Sequence, residues 1–142
     1  MGLSPLTLQS YIIEEFQFKL NKDYDAKEKE GLEGFDIFFL PEINSKNKLK
    51  RRVTLSVVQT PQTNNLYEYK LRLVGIFEMQ KEYAKEQKPA YLEQLMNVNC
   101  PAMLYAAARE IILQFTSRSP GGAVFLPSIN FAAFVKSGPT QE

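Results

Sequence analysis

The sequence predicts an α+β fold in which a four-stranded antiparallel sheet is followed by a long C-terminal helix packed on one face. Four segments between residues 6 and 77 alternate apolar and polar side chains, which is the period of a half-buried strand. Most connections between them are short, and short connections favour antiparallel pairing with one sheet face in water. The segment from Asn99 to Arg118 instead spaces its apolar residues along one face of a helix.

The first strand is predicted from Leu6 to Leu20, with a mostly apolar face of even-numbered residues and a mostly polar face of odd-numbered residues. Residues 21–34 are polar and charged and contain glycine, so they are predicted to form a loop. The second strand is short and rich in aromatic residues. It is predicted from Phe35 to Leu40 and to end at Pro41, which has no N–H to donate to a sheet.

A hairpin turn is predicted next, because Asn44, Ser45 and Asn47 have the composition of a turn. A basic cluster lies beside it, yet the net charge of the chain is only +1, which gives no electrostatic footprint for nucleic acid. We therefore interpret the cluster as a solvated hairpin edge rather than an RNA-binding patch. The cluster comprises Lys46, Lys48, Lys50, Arg51 and Arg52.

The third strand is predicted from Arg52 to Thr60 and the fourth from Leu66 to Phe77, with a turn at residues 61–65. The fourth strand alternates most cleanly, with tyrosines and leucines on one face and charged residues on the other. Gly75 interrupts this alternation. A glycine inside a strand indicates either a β-bulge or a close approach of another part of the backbone.

The sequence permits more than one structure for residues 78–98. Glu78 to Lys88 is charged and is interpreted as either a short helix or an ordered loop. The apolar residues that follow it have helical spacing. They are Tyr91, Leu92, Leu95 and Met96.

The main helix is predicted to begin at Pro101, because the first helical turn does not need the N–H that proline lacks. Asn99 or Cys100 would then cap it, and Asn99 is the better capping residue. The run Ser119-Pro-Gly-Gly122 is predicted to end the helix. The last residues, from Lys136 onward, are expected to form a frayed tail.

Composition places the chain among globular proteins, since 44% of its 142 residues are hydrophobic and 23% are charged. We expect a single domain over residues 1–142. No apolar run is long enough for a transmembrane helix, and the N-terminal residues do not resemble a secretory signal. Cys100 is the only cysteine, so no intrachain disulfide can form, and a cytoplasmic location fits.

The chain contains no histidine, which excludes a Ser-His-Asp or Cys-His arrangement and removes the commonest metal ligand. It also has no phosphate-binding loop. Acidic pairs such as Glu82 and Glu86 lie among lysines and are interpreted as a solvated face. Cys100 is interpreted as a buried residue rather than a reactive thiolate. We therefore predict no catalytic residue, no metal site and no cofactor, while Arg109-Glu110 is left as either an ion pair or an interface contact.

Several short motifs point to a known family. The helical segment contains Cys100-Pro101, Leu104-Tyr105 and Ala108-Arg109-Glu110, and Arg118 and Pro127-Ser-Ile-Asn-Phe131 follow it. Their order and spacing resemble the C-terminal signature of SecB-type export chaperones, and Gly75-Ile-Phe77 resembles that family's Gly-Ile-Phe segment. The resemblance covers nearly the whole chain and implies the same four-strand-then-helix arrangement.

The resemblance implies an ATP-independent holdase for unfolded polypeptides, assembled as a homotetramer (a dimer of dimers) or as a dimer. In this family an apolar groove between sheet and helices holds extended chains, and large adaptable side chains suit that role. The implied groove candidates are Phe35, Ile37, Phe39, Phe77, Tyr91, Leu95 and Met96. The implied candidates for the oligomer interface are Leu104, Ala108, Ile111 and Phe115.

Three departures from the family pattern qualify these expectations. Ala106-Ala107 replaces a proline and an aromatic residue, so the helix should be better formed. The second C-terminal helix is expected to be short or absent. The acidic positions that dock the SecA motor fall at Glu15, Lys19 and Lys70, and the two lysines oppose that docking. The alternatives are therefore a dedicated chaperone of a toxin–antitoxin system, whose partner is an antitoxin, or a non-catalytic interaction module on the same fold.

Overall fold

The computed structural model describes residues 4–24, 35–59 and 66–136. Within these ranges the chain forms four strands and then three helices. The strands are β1 (Leu6–Leu20), β2 (Asp36–Ile43), β3 (Lys50–Gln59) and β4 (Tyr67–Met79), and the helices are α1 (Lys81–Lys85), α2 (Pro89–Thr116) and α3 (Phe131–Lys136).

The four strands form one sheet in the order β1-β4-β3-β2, and every neighbouring pair is antiparallel. Together with the long helix α2, this confirms the predicted α+β fold. The connection from β1 to β2 links the two opposite edges of the sheet, and most of the predicted loop at 21–34 lies outside the described residues. The predicted turn at 61–65 lies outside them too.

One face of the sheet, here called the helix side, packs against α2, and the other is called the outer face. The helix-side residues of β3 and β4 are almost entirely buried, as the alternation predicted. The helix α2 supplies the opposing layer, including Leu104, Ala108 and Ile112. The core also contains Val53, Leu55, Val57, Leu71, Leu73, Phe77, Met79 and Met96.

Strand β1 does not alternate as predicted, because two register shifts interrupt it, between Leu8 and Ser10 and between Ile13 and Glu15. Each bulge adds one residue, which moves the following side chains to the opposite face. Tyr11 and Ile13 therefore lie on the helix side, opposite Gly75 and Leu73, and not among the polar residues of the outer face.

Strand β2 continues through Pro41 to Ile43, so the prediction that it ends at Pro41 was wrong. The physical reason is that β2 is an edge strand. An edge strand has one row of N–H positions without a neighbouring strand, and a proline is tolerated there.

Gly75 lies beneath core side chains rather than against another stretch of backbone, and the register shift between Leu8 and Ser10 lies next to it on β1. A Cβ atom placed on Gly75 would lie 3.0 Å from Leu104 Cδ1 and 3.0 Å from Phe77 Cε2. A Cβ atom at such distances fits only if the neighbouring side chains move by a few tenths of an ångström in a close-packed core. The absence of a side chain here lets the helix lie directly on β4.

The predicted start of the main helix at Pro101 was wrong, because α2 begins at Pro89 and contains Pro101 in its interior. An interior proline removes the hydrogen bond to the carbonyl of Asn97. Asn99 is not a cap, and its Nδ2 donates to the carbonyl of Leu95 at 2.8 Å. The apolar spacing upstream extends the helix, since Met96, Cys100 and Leu104 are buried in succession along it.

The two short helices flank this long one. Helix α1 confirms the short-helix alternative for the charged segment after β4. Helix α3 is a second C-terminal helix of six residues, and Asn130 precedes it, where its Oδ1 accepts from the N–H of Ala132 at 3.1 Å. In the part of the chain that the structure describes, no helix has the length and apolarity needed to cross a membrane.

Candidate functional site

The segment between α2 and α3, residues 117–130, is called here the connecting segment. It has no regular secondary structure, yet side chains of the core hold its backbone at three points. The Tyr67 hydroxyl donates to the carbonyl of Gly122 at 2.8 Å, and the Tyr105 hydroxyl donates to the carbonyl of Pro127 at 2.6 Å. The N–H of Val124 donates to Oγ1 of Thr116 at 2.8 Å. These bonds fix where the segment points its side chains.

Phe125 is the most exposed large apolar side chain of the described residues, with 75% of its surface accessible to solvent. Its neighbours are held, since Val124 is hydrogen-bonded to Thr116 and Leu126 is buried against the core. An extended backbone turns successive side chains to opposite sides. Burial of Leu126 therefore turns Phe125 outward, where a partner's apolar group can cover it.

Phe125 separates two concave surfaces. The first is a depression of about 240 Å³ between β4, the start of β2 and the connecting segment. Aromatic rings from four parts of the chain line it. They are Tyr24, Phe35, Tyr67, Tyr69 and Phe125, with Leu66, Leu126 and Pro127 beside them.

The second depression, also about 240 Å³, lies between the connecting segment and one face of α2. Ala106, Arg109, Glu110 and Leu113 line it from the helix, at the spacing of a single helical face. The Arg109 guanidinium lies 6.0 Å from the centre of the Tyr105 ring. Burial raises the pKa of Tyr105, and the positive charge of Arg109 opposes that shift.

The Arg109-Glu110 pair, whose role the sequence left open, makes separate contacts. Gln114 Nε2 donates to Glu110 Oε1 at 2.9 Å, one turn further along the helix, while Arg109 contacts the Tyr105 ring. Neither Arg109 nor Glu110 forms an ion pair within the part of the chain that the structure describes.

The groove candidates from the sequence fall into separate places. Phe35 lines the first depression, and Ile37 and Phe39 follow it along β2 on the helix side, half-buried. Phe77 and Met96 have almost no exposed surface, so neither can contact a partner while the core stays packed.

The remaining two groove candidates lie at the other end of the molecule, at the start of α2. Tyr91 is exposed there and Leu95 is half-buried. Tyr83 of α1 lies near Tyr91, whose side chain raises the pKa of Tyr83. The seven candidates therefore do not form one continuous surface.

The oligomer-interface candidates also divide into buried and exposed residues. Leu104 and Ala108 face the sheet and are fully buried within the chain. Ile111 is half-buried, and Phe115 is 49% exposed and packs edge-on against Phe16 with ring centres 4.7 Å apart. Apolar residues on the helix side of β1 are exposed beside them. These are Tyr11, Ile13 and Leu20.

The three motor-docking positions lie on the outer face, where their charges are paired with neighbours. Lys70 Nζ lies 3.3 Å from Glu15 Oε1, and Lys19 Nζ lies 3.1 Å from Glu68 Oε2. The hydrogen bond from Lys70 holds the pKa of Glu15 below its ordinary value, with Arg72 adding a smaller effect in the same direction. This part of the outer face therefore carries both signs of charge.

The described residues place no cysteine at either depression. No group of three metal-ligating side chains occurs in the described ranges 4–24, 35–59 and 66–136. Cys100 is buried, as interpreted from the sequence, and burial raises the pKa of its thiol to about 12. What the connecting segment presents instead is apolar surface at fixed positions.

We expect Cys100 to be almost inert in the native protein. At pH 8 a pKa of about 12 leaves about a thousandfold less thiolate than an unperturbed cysteine has, and the thiolate is the reactive form. Ellman's reagent should therefore react slowly with the folded chain and rapidly in guanidinium chloride. Fast stoichiometric reaction without denaturant would contradict the burial of this thiol.

Sequence comparison links the chain to one family. The model of the SecB family, described as preprotein translocase subunit SecB, matches residues 39–141, which is well over half of the chain. No curated protein matches the chain in sequence.

Solved structures show the same fold at low sequence identity. The SecB-like chaperone Rv1957 of Mycobacterium tuberculosis, solved in complex with a ChAD peptide from the Rv1956 HigA1 antitoxin, has a TM-score of 0.58 and 14% identity, with 88% of this chain and 91% of that chain covered. A protein of unknown function from Streptococcus agalactiae has a TM-score of 0.50 and 11% identity, with 89% of this chain and 99% of that chain covered.

Proposed function

Because the chain belongs to the SecB family, we propose that it is an ATP-independent holdase that binds unfolded or non-native polypeptide without a cofactor. The observation that carries the proposal is the exposed ring of Phe125 between two depressions, held there by a hydrogen-bonded backbone. An exposed aromatic side chain beside concave surfaces that are lined in part by apolar groups is the kind of surface that binds apolar segments of another chain.

Fixing the connecting segment in advance favours binding. A flexible loop would lose conformational entropy when a client ordered it, whereas this backbone is already held by Tyr67, Tyr105 and Thr116. Covering one phenylalanine side chain contributes about 1.5–3 kcal/mol. Several such sites on one assembly would together hold a long client by multivalency.

We further propose that the chain forms a homo-oligomer, either a tetramer built as a dimer of dimers or a dimer. Support comes from the exposed apolar residues that β1 and α2 share on the helix side, including Tyr11, Ile13 and Phe115. A second copy that covered them would remove apolar surface from water. The assembly mass of the purified chain, measured by light scattering, tests this directly, and a monomer at all concentrations would exclude it.

We do not expect SecA to be a strong partner, since two lysines stand at positions where typical family members present acid. Both lysines are already paired with neighbouring carboxylates, Lys19 with Glu68 and Lys70 with Glu15. Like charges opposed across an interface cost binding energy.

A second candidate function is that of a dedicated chaperone for one partner, such as an antitoxin. It is favoured by the similarity of the fold to a SecB-like chaperone that was solved with an antitoxin peptide. A pulldown from the native host that yields one dominant polypeptide would support this narrower role. A broad set of non-native chains would support the general holdase.

Replacing Phe125 with Ser should lower the affinity for an unfolded client about tenfold, because the client loses the burial of one aromatic ring. The matched control is Phe38→Ser, since Phe38 is also exposed, at 57%, but lies on the outer face of β2. Suppression of the aggregation of a chemically unfolded client at a series of chaperone concentrations measures the effect. Both variants should unfold at nearly the same temperature as the parent.

The aggregation assay distinguishes the holdase proposal from the assignment of its binding surface. A parent protein that does not slow aggregation of any unfolded client would overturn the holdase proposal. Equal loss in Phe125→Ser and Phe38→Ser would retain a holdase but remove the connecting segment as its binding surface.

A further inference from the structure

A large cleft lies at the opposite end of β4 from the connecting segment, and the proposed holdase function does not use it. Its volume is about 1070 Å³. Three parts of the chain form its walls: the start of β1, the turn of the β2–β3 hairpin and the junction of β4 with α1. We call it the hairpin cleft.

Backbone hydrogen bonds join these three walls. The N–H of Gln80 donates to the carbonyl of Pro5 at 2.7 Å, and the N–H of Met79 donates to the carbonyl of Leu49 at 2.9 Å. The turn itself is held by Asn44, whose Oδ1 accepts from the N–H groups of Lys46 and Asn47 at 2.8 and 3.1 Å. The cleft is therefore formed before any ligand arrives, which lowers the entropy cost of binding.

The cleft carries an excess of positive charge. Lys46, Lys48 and Lys81 line it, and within the described part of the chain none of the three forms an ion pair. All four ion pairs of that part lie elsewhere on the outer face, where β1 faces β4. The basic residues of the hairpin are thus left to interact with a partner.

Of the described residues that line the cleft, Glu78 alone carries a carboxylate. Both of its oxygens already accept hydrogen bonds, Oε1 from Gln9 Nε2 at 2.7 Å and Oε2 from Asn47 Nδ2 at 3.4 Å. Lys50 lies directly opposite it on β3. Its charge lowers the positive potential of the cleft without reversing it.

We propose that the hairpin cleft binds an acidic segment of polypeptide. Charge complementarity selects an anionic partner, because three lysines that form no ion pair with any described residue line one preformed cavity. A polypeptide fits better than a nucleic acid. Among the described residues that line the cleft there is no aromatic ring for bases to stack on, whereas the side-chain amides and hydroxyls there suit peptide groups.

The inference rests on the proposed function only in taking a polypeptide as the occupant. It adds a second, electrostatic site to the apolar surface around Phe125. Clients with an acidic stretch as well as an apolar stretch should then be retained longest, because two linked contacts bind more tightly than either alone.

Fluorescence anisotropy of the full chain with a fluorescein-labelled peptide of alternating Glu and Ser tests the cleft. Lys48→Ala combined with Lys81→Ala should raise the Kd of this peptide about tenfold. The matched control is Lys22→Ala combined with Lys88→Ala, which removes the same charge from exposed residues that lie neither in the cleft nor in the connecting segment. Added salt should weaken binding to the parent.

Glu78→Gln gives a test of opposite sign. It removes the like charge from the cleft and keeps an acceptor oxygen for its amide neighbours, so it should lower the Kd of the acidic peptide about threefold. Unchanged unfolding temperatures in all variants would show that the differences arise from charge.

Equal affinity for a Lys–Ser peptide of the same length, or equal Kd values for the cleft and control variants, would overturn the proposal. Tighter binding of a thymidine oligonucleotide than of the acidic peptide would overturn it in favour of a nucleic-acid site. Because these measurements use no apolar client, they remain decisive even if aggregation suppression fails.

Discussion

Replacing Leu104 with Ala is expected to lower the free energy of unfolding by about 3 kcal/mol, a large part of the stability of a chain of this size. Leu104 is 0% exposed and lies where α2 comes closest to the sheet, above Gly75. Removing its branched end leaves a cavity between two elements that cannot move together without distorting others. Denaturation in urea at one fixed protein concentration measures the change.

The matched control for this substitution is Leu40→Ala. Leu40 is 37% exposed on the outer face of β2, so its truncation removes less buried area than that of Leu104 and should cost about 1 kcal/mol. Equal losses for the two variants would contradict the position of Leu104 in the core. Because an oligomer is also stabilised by assembly, each comparison is repeated at a second protein concentration.

The contact with Gly75 can be tested by combining substitutions. Gly75→Ala alone should destabilise the chain by about 1–3 kcal/mol, because its Cβ would lie 3.0 Å from Leu104 Cδ1. With Leu104→Ala in place that collision is absent, although the one with the Phe77 ring remains. The two changes should therefore be less than additive by about 1 kcal/mol. Strict additivity would show that helix and sheet do not meet at this point.

The sheet could be predicted because the alternation of apolar and polar residues is a local pattern that repeats along each strand. A strand with one buried face must alternate, and β4 does so from Tyr67 to Leu73 without a break. The position of Gly75 was also informative, because a glycine inside a strand usually has a packing reason.

The errors have a common cause, which is that tertiary packing overrode a local rule. Pro101 suggested a helix start, yet the apolar positions before it continue the buried face and keep the helix intact. Pro41 suggested a strand end, yet β2 lies at an edge where a proline is tolerated. Bulges in β1 cannot be placed from its sequence, because a shift of one residue depends on the neighbouring strand.

The candidate site was only partly predictable for a related reason. Phe35 was found because it belongs to an aromatic strand, whereas Phe125 lies in a segment with no periodicity. The available signal was an apolar run between two turn-forming residues, Gly122 and Pro127, where a loop is normally polar. The hairpin cleft could not be predicted from the sequence alone, because it depends on the pairing of β3 with β4. That pairing brings the lysines of the turn towards Lys81.

Replacing Thr116 with Val should affect both stability and client binding, because one hydroxyl joins the helix to the connecting segment. Oγ1 of Thr116 accepts from the N–H of Val124 at 2.8 Å and donates to the carbonyl of Ile112 at 2.8 Å, and the residue is 0% exposed. Valine has nearly the same shape and no hydroxyl, so a part-buried N–H loses its acceptor. Such a loss costs about 1–3 kcal/mol.

The functional consequence follows from geometry. Without this bond the backbone next to Phe125 keeps the bonds to Tyr67 and Tyr105 and the buried Leu126, but it loses the contact nearest the ring, so the ring is held less firmly in advance. We expect the amide of Val124 to exchange its hydrogen at least about tenfold faster in Thr116→Val, and client affinity to fall although Phe125 is unchanged. Thr54→Val, on the outer face of β3, is the matched control and should alter neither measurement. Faster exchange with unaltered client affinity would show that the ring binds clients without being held in place, and the preorganisation part of the proposal would be wrong.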